Sequence, residues 1–473
     1  MKRLILLLIC LTGLRTTYAQ PAADTSDFFL LRDLQEIVFS HHPVVKQAAL
    51  LSESARADVM QALGYFDPAV KAGFDQKVFG NTDYFNRWTS ELKVPLWLAG
   101  ADLKIGHDRG TGDYINPEKQ TPSVGLSGIG LSIPLGQGLL IDSRRSTLRQ
   151  AKVMVNYAEA ERVKQINGMW YNIVKDYWNW YFAYHQFQLI SEGVDLAQTR
   201  FKAISQQTLL GDKAAIDSVE AAITVQDRMI QFDKMKMELL NARLVLSNHL
   251  WGNNQQPLEL PENAKPQPTP QLMARPSQQV LDTLLQFAGE SHPDLVKLRT
   301  KGEQLAIERA YRAEMLKPKL NVGGSLLTTR RDFGGVVPSY YDLSWQNYKV
   351  GVEFALPIFL RAERGKLKEV KLKQQEVQYD LQQSNREIRN SVLASYNHLD
   401  AYTRQLSVQV SSIENQQMLL NGETTKFELG ESTLFLINSR ESKLIDMKIK
   451  REEMISGYQK ALAELYYRAG TRL

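Results

Sequence analysis

The chain carries two kinds of hydrophobic pattern in alternation. From Tyr348 the residues Val350, Val352, Phe354, Leu356 and Ile358 recur at every second position, with Lys349, Gly351, Glu353 and Ala355 between them. That is a strand with one apolar and one polar face. Beyond Pro357 the period changes, and Leu367, Val370, Gln374, Val377 and Leu381 recur at three- and four-residue spacing, the seam of a packed helix. A strand suited to lipid on one side and water on the other thus feeds a long polar helix.

The same grammar occurs twice. Helical patterns meet His42-Pro43 and His292-Pro293 and stop at Pro68 and Pro318, so both marks repeat at an offset of 250 residues. Each half continues with an alternating strand: Val70, Ala72, Phe74 and Val78 against Lys71, Asp75 and Lys77, then Leu320, Val322 and Leu326 against Asn321, Gly323 and Ser325. Return strands end at Pro134 and Pro357. The first β-region, about 69–134, is longer than the second, about 319–357, and holds two further candidate strands, Trp88–Leu98 and Ala101–His107. The pattern predicts four or six strands, with six slightly favoured. A shift of apolar positions around Gly128 predicts a bulge or corner there.

Proline-free stretches of about 141–210 and 361–429 predict helices on the order of 100 Å long. Each ends in a Leu-Gly turn, Leu210-Gly211 and Leu429-Gly430, before return helices at about 214–251 and 433–468. The expected organisation is a first repeat over 20–256, a proline-rich linker over 257–276 and a second repeat over 277–473.

Composition narrows the classes. Lys2 and Arg3, an apolar run from Leu4 to Leu14 and small residues around Ala19 predict a secretory signal peptide over 1–19. The one cysteine, Cys10, falls inside it, so a disulfide framework is excluded from the mature chain. Removing that segment with its Lys2, Arg3 and Arg15 leaves 54 basic and 52 acidic residues, a balance that gives no footprint for nucleic acid. No later apolar run approaches the roughly 20 residues of a membrane helix, so spanning falls to strands. Four to six strands do not close a membrane barrel, whose smallest members have about eight, and an open edge in lipid is costly; several copies must share one.

Reactive chemistry has no candidate constellation. Gly136-Gln137-Gly138 lacks the third glycine and the short βαβ unit of a dinucleotide loop. The seven histidines are scattered, and His41-His42 reads as a helix-start turn ahead of a metal pair. No catalytic residue, cofactor or metal is expected. The aromatic run from Trp170 to Phe187 covers too much of a helix circumference for one seam and predicts packing against several neighbours.

The two His-Pro steps, the strand exits IPLGQG and LPIFLRAERGK, and the two Leu-Gly helix turns resemble the TolC family of outer-membrane efflux proteins, over nearly the whole mature chain. The resemblance implies a trimer with a shared β-barrel continued by an α-helical barrel across the periplasm. It implies a periplasmic adaptor and an inner-membrane pump of the RND, ABC or MFS class as partners, with outer-membrane lipid around the barrel. An efflux duct follows, with a type I secretion duct or a non-transporting coiled-coil scaffold as alternatives. The family constricts its periplasmic tip near the Gly turns, which points to Gly211, Asp217, Gly430, Asn438, Ser439 and Arg440. Asp217 matches the first-half acidic position. Leu436 and Ser439 stand where acidic gate residues are found, and Ser432 replaces a basic one. Lys349 and Glu353 are the expected lumen residues of the barrel. Trp88, Trp97 and Tyr348 are candidates for aromatics at the membrane interface.

Overall fold

A computed structural model describes residues 28–270, 273–328 and 345–472; the expected leader at 1–19 lies outside them. In chain order the elements begin with a short strand β1 (Phe28–Phe29) and helices α1 (Leu31–His41) and α2 (Pro43–Leu63). Four strands follow: β2 (Ala69–Phe79), β3 (Thr82–Pro95), β4 (Asp102–Thr111) and β5 (Leu126–Pro134). The long helix α3 (Ser143–Leu209) returns as α4 (Ala215–Ser247), and β6 (Lys265–Pro266) lies in the connection. The second half holds α5 (Gln278–Ser291), α6 (Pro293–Glu314), β7 (Lys319–Thr328), β8 (Tyr348–Ala355), α7 (Arg361–Glu428) and α8 (Leu434–Arg468).

Proline and histidine set the matching breaks. Pro43 and Pro293 each occupy the first turn of a helix, where a missing N–H costs nothing. The residue before each is extended, as proline sterics require, so the preceding helix ends there. Both histidines cap the new helix through Nδ1, which accepts from Val44 N–H at 3.2 Å and from Asp294 N–H at 3.1 Å.

The six longer strands form one antiparallel sheet in the order β2-β3-β4-β5-β7-β8, so the halves join through β5 and β7. β3 starts at Thr82, ahead of the expected Trp88, because the hairpin turn sits at Gly80-Asn81, both with positive φ. The irregularity expected at Gly128 is absent. Gly128 pairs regularly with Gly106 and Leu327, and the Leu327 side chain covers it, so apolar residues there fall on both faces without a register change. The register shift lies instead between β2 and β3, where Lys77 opposes Phe85, Val78 opposes Asp83 and Tyr84 is the extra residue.

The core sits at the waist of the helices. Trp178, Trp180, Tyr177 and Tyr181 of α3 are fully buried among α1, α5, α7, α8 and the linker, so the aromatic run does meet several neighbours. The linker is strapped on by hydroxyls: Tyr177 donates to Phe29 O at 2.8 Å, Tyr458 to Ala274 O at 2.7 Å and Tyr396 to Pro276 O at 2.9 Å. β6 pairs in parallel with β1. Burial raises the Tyr177 and Tyr181 phenols well above the usual tyrosine value, so they stay neutral donors. No described helix is long and apolar enough to cross a membrane.

Candidate functional site

Strand alternation gives the sheet two chemically different faces. One carries Val70 and Phe74, Leu92 and Val94, Leu103 and Ile105, Ile129 and Leu131, Val322 and Leu326, then Val350, Val352 and Phe354, each aligned with the next by the pairing register. Its polar members serve one another: Ser127 Oγ lies 2.8 Å from His107 Nδ1, and Ser90 donates to His107 O at 3.2 Å. The opposite face carries Lys71, Asp75, Arg87, Glu91, Lys93, Lys104, Ser325, Lys349 and Glu353. Lys349 and Glu353 therefore share the polar face, opposite Ser325 and Asn321, and Asn321 Nδ2 lies 3.4 Å from the Glu353 carboxylate.

Both outer strands leave an open edge. β2 and β8 are exposed along their whole length, with Val70 77 % and Val352 64 % accessible. Apolar residues left this open mark a surface that meets lipid or another chain. Trp97 packs on Phe66 at the helix end of the sheet, 5.0 Å between centroids, whereas Trp88 lies within the apolar face beside Phe74. Tyr348 starts β8 at the far end.

A charged cluster fixes the sheet to the helices. Arg144 bridges Asp102 at 2.8 Å and donates to Gly100 O at 3.0 Å, while Lys93 holds the other Asp102 oxygen at 3.0 Å. Asp142 caps α3 by accepting from Arg145 N–H at 2.9 Å. Burial would raise this carboxyl, yet the hydrogen bonds from Arg145 and Arg144 hold it below the ordinary aspartate range. The sequence showed these residues only as an unremarkable basic start to a helix.

At the other end the two long helices close in the same way. Asp212 N–H donates to Gln207 O at 2.9 Å and Glu431 N–H to Lys426 O at 2.8 Å, with Gly211 at φ 86° and Gly430 at φ 78° between. This cap needs a left-handed residue, which glycine supplies without strain. The turns leave Leu209, Leu210 and Leu429 at least 70 % exposed, and Lys213 Nζ sits 4.1 Å from the Phe427 ring, joining the two turns.

The residues named from the sequence do not share one environment here. Asp217 is half-buried in the first turn of α4, beyond Gly211, and Ser439 is exposed. Asn438 is engaged within the chain: its Oδ1 accepts from Arg200 of α3 at 3.0 Å and its Nδ2 donates to Thr224 of α4 at 3.1 Å. Arg440 is half-buried and its carbonyl accepts from Gln416 at 2.9 Å. Arg200 also pairs with Glu441, and buried Arg228 donates to Ser442 at 2.7 Å. Sequence reading missed Arg200, Arg228 and Glu441, because a charge buried between distant helices has no local signature.

A second missed feature was legible. Ile216, Ile223, Ile230, Met237 and Leu244 recur every seven residues along α4, and each is at least 52 % exposed. This is one row of a coiled-coil seam with no partner in the chain.

The fold is shared with outer-membrane channels. The chain superposes on the Campylobacter jejuni CmeC outer membrane channel with TM-score 0.63, 13 % identity and coverage of 93 % of this chain and 85 % of that one. VceC, an outer membrane protein of Vibrio cholerae, gives 0.66, 14 %, 93 % and 96 %. The open state of the Neisseria gonorrhoeae MtrE outer membrane channel gives 0.65, 15 %, 93 % and 89 %. In sequence, residues 284–437 match the family described as outer membrane efflux protein. Fold and family match together bear out the resemblance to the TolC family. No curated protein matches the chain.

Proposed function

We propose that this chain is the outer-membrane exit duct of a tripartite efflux system. It passively conducts small molecules that an inner-membrane pump and a periplasmic adaptor deliver. The observation that carries this reading is the two-faced sheet with both edges open, continuous with two pairs of long helices. The apolar face meets outer-membrane lipid; the polar face, with Lys349 and Glu353, lines water. Facing those charges to lipid would cost about 2–4 kcal/mol for a lysine near midplane.

The duct is a homotrimer of two repeats, 20–256 and 277–473, joined by the linker at 257–276, with its helices in the periplasm. Two observations support self-association: the open strand edges and the unpartnered seam of α4. The exposed leucines beside Gly211 and Gly430 offer the adaptor an apolar tip. Asp217, Asn438, Ser439 and Arg440 lie on the return helices near that tip and constrict the entrance.

Planar-bilayer recording tests the reading. Purified protein is expected to give stepwise conductance, and Asp217→Ala to change its size. A protein that inserts and conducts nothing would be the non-transporting scaffold.

A further inference from the structure

The sheet carries the geometry of its own closure. Its ladder aligns Ala69 with Lys93, Lys104, Gly130, Ser325 and finally Lys349, yet β2 begins at Ala69 while β8 runs six residues further, to Ala355. The helix-side ends of the strands therefore step along the sheet. Six residues at about 3.3 Å over five strand spacings of about 4.8 Å tilt the strands by about 40° from the normal to that boundary. Membrane barrels tilt their strands by roughly 35–45°. The sheet is staggered as a barrel segment is.

We infer that β8 pairs antiparallel with β2 of a second copy in one defined register, Ala355 opposite the partner's Ala69, so that all six strands of each copy enter a common barrel. The inference rests on the duct reading and adds to it the joint between subunits, the strand number and the width.

Direction, stagger and side chains select this register. β2 leaves the helical end of the sheet and β8 returns to it, so the edges meet antiparallel. Continuing the same step by one more strand brings the strand ends level. On the apolar face Phe354 then opposes the partner's Val70, Val352 the partner's Ala72 and Val350 the partner's Phe74. On the polar face Glu353 opposes the partner's Lys71, and Lys349 opposes the partner's Asp75. Opposite charges directly across a strand pair are favourable. Among the described residues, none of the four charges has an ion-pair partner in its own chain.

Other registers lose these matches. A slip of one residue turns the apolar face of one strand toward water. A slip of two residues one way sets Lys349 against the partner's Lys71 or Lys77 only by breaking both pairs, with Lys77 directly opposite; the other way leaves Lys349 and the partner's Lys71 each facing glycine. Lys349 and Glu353 thus act as joint residues as well as lumen residues.

Three copies of six strands make an eighteen-strand barrel. At that spacing and tilt its backbone diameter is about 36 Å. Barrels of 16–18 strands leave an aqueous channel, so the outer-membrane end is an open, water-filled passage for hydrophilic cargo.

Cysteine cross-linking tests the joint in full-length Cys10→Ser protein purified in detergent. Gly73→Cys with Gly351→Cys, midway between the two charge pairs, is expected to give disulfide-linked dimers and trimers on a non-reducing gel. A Cβ at Gly351 meets open space, whereas one at Gly73 approaches Thr89 Oγ1 to 3.0 Å. Val70→Cys with Phe354→Cys therefore reports the same register independently. Gly351→Cys combined with Lys71→Cys or Asp75→Cys, offset by two residues, is expected to link at least tenfold less. A conducting trimer in which neither matched pair links, or in which an offset pair links better, overturns the inference and leaves the duct standing. A monomer without conductance overturns both.

Discussion

Arg200 of α3 donates to Asn438 of α8 at 3.0 Å and pairs with Glu441 one turn further along. Asn438 in turn donates to Thr224 of α4. One guanidinium thereby ties the two helix pairs of the chain together above their tips. Glu441 is almost wholly shielded, with its side chain 7 % exposed.

Arg200→Ala is expected to cost about 3 kcal/mol, chiefly because Glu441 stays buried without a counterion. Hydrogen exchange across residues 434–445 should rise accordingly. Arg200→Ala/Glu441→Leu should recover much of that loss, since an apolar pair leaves no charge behind. Asn438→Ala, which removes a neutral partner, should cost about 1 kcal/mol.

The His292 cap makes the second helix break sensitive to pH. Burial lowers the His292 pKa below its ordinary 6.5, opposed by Asp294 and aided by Lys164. The folded chain then binds fewer protons than the unfolded one. The contribution of this group is complete above about pH 6.5 and is lost as pH falls through the folded value. Protonation also turns Nδ1 into a donor, which breaks its bond from Asp294 N–H. Thermal melts should show stability falling from pH 7 to pH 5, and His292→Asn, which still caps, should flatten part of that slope. His292→Ala should cost about 1 kcal/mol at neutral pH.

Ile230 is 69 % exposed at the centre of the α4 seam. Ile230→Asp should leave the far-ultraviolet circular dichroism of the chain unchanged, because the side chain supports nothing within it. Light scattering in detergent should show the trimer weakened, and Ile223→Asp/Ile230→Asp should leave mostly monomer. Unchanged trimer mass in the double variant would remove the seam from the interface.

Gly457 lies against Tyr402 where α8 packs on α7. A Cβ there would stand 2.7 Å from the Tyr402 hydroxyl and 2.8 Å from ring carbons. Gly457→Ala gains helix propensity worth about 1 kcal/mol but forces the ring aside, and overpacking costs about 1–3 kcal/mol. Net destabilisation is expected in urea unfolding. Tyr402→Leu should suppress it, and a Gly457→Ala chain as stable as the parent would show that the ring moves freely.

Much of this protein was decided along the chain. Alternation from Tyr348 to Phe354 makes a two-faced strand wherever it lies, because successive side chains point to opposite faces. His-Pro steps and Leu-Gly turns act within a few residues, so the helix breaks and the matching tips could be read from punctuation. Gly128 misled for the same local reason: a pattern of apolar residues does not say that Leu327, two hundred residues away, fills the space over a glycine. Tertiary structure alone decided that six strands join one sheet, since strand number depends on which distant hairpins share hydrogen bonds. It alone placed Asn438 in a bond to Arg200 and left α4 with an unfilled seam. The level alignment of Ala69 with Lys349 is likewise set by five pairings between separate segments, and no stretch of sequence holds it.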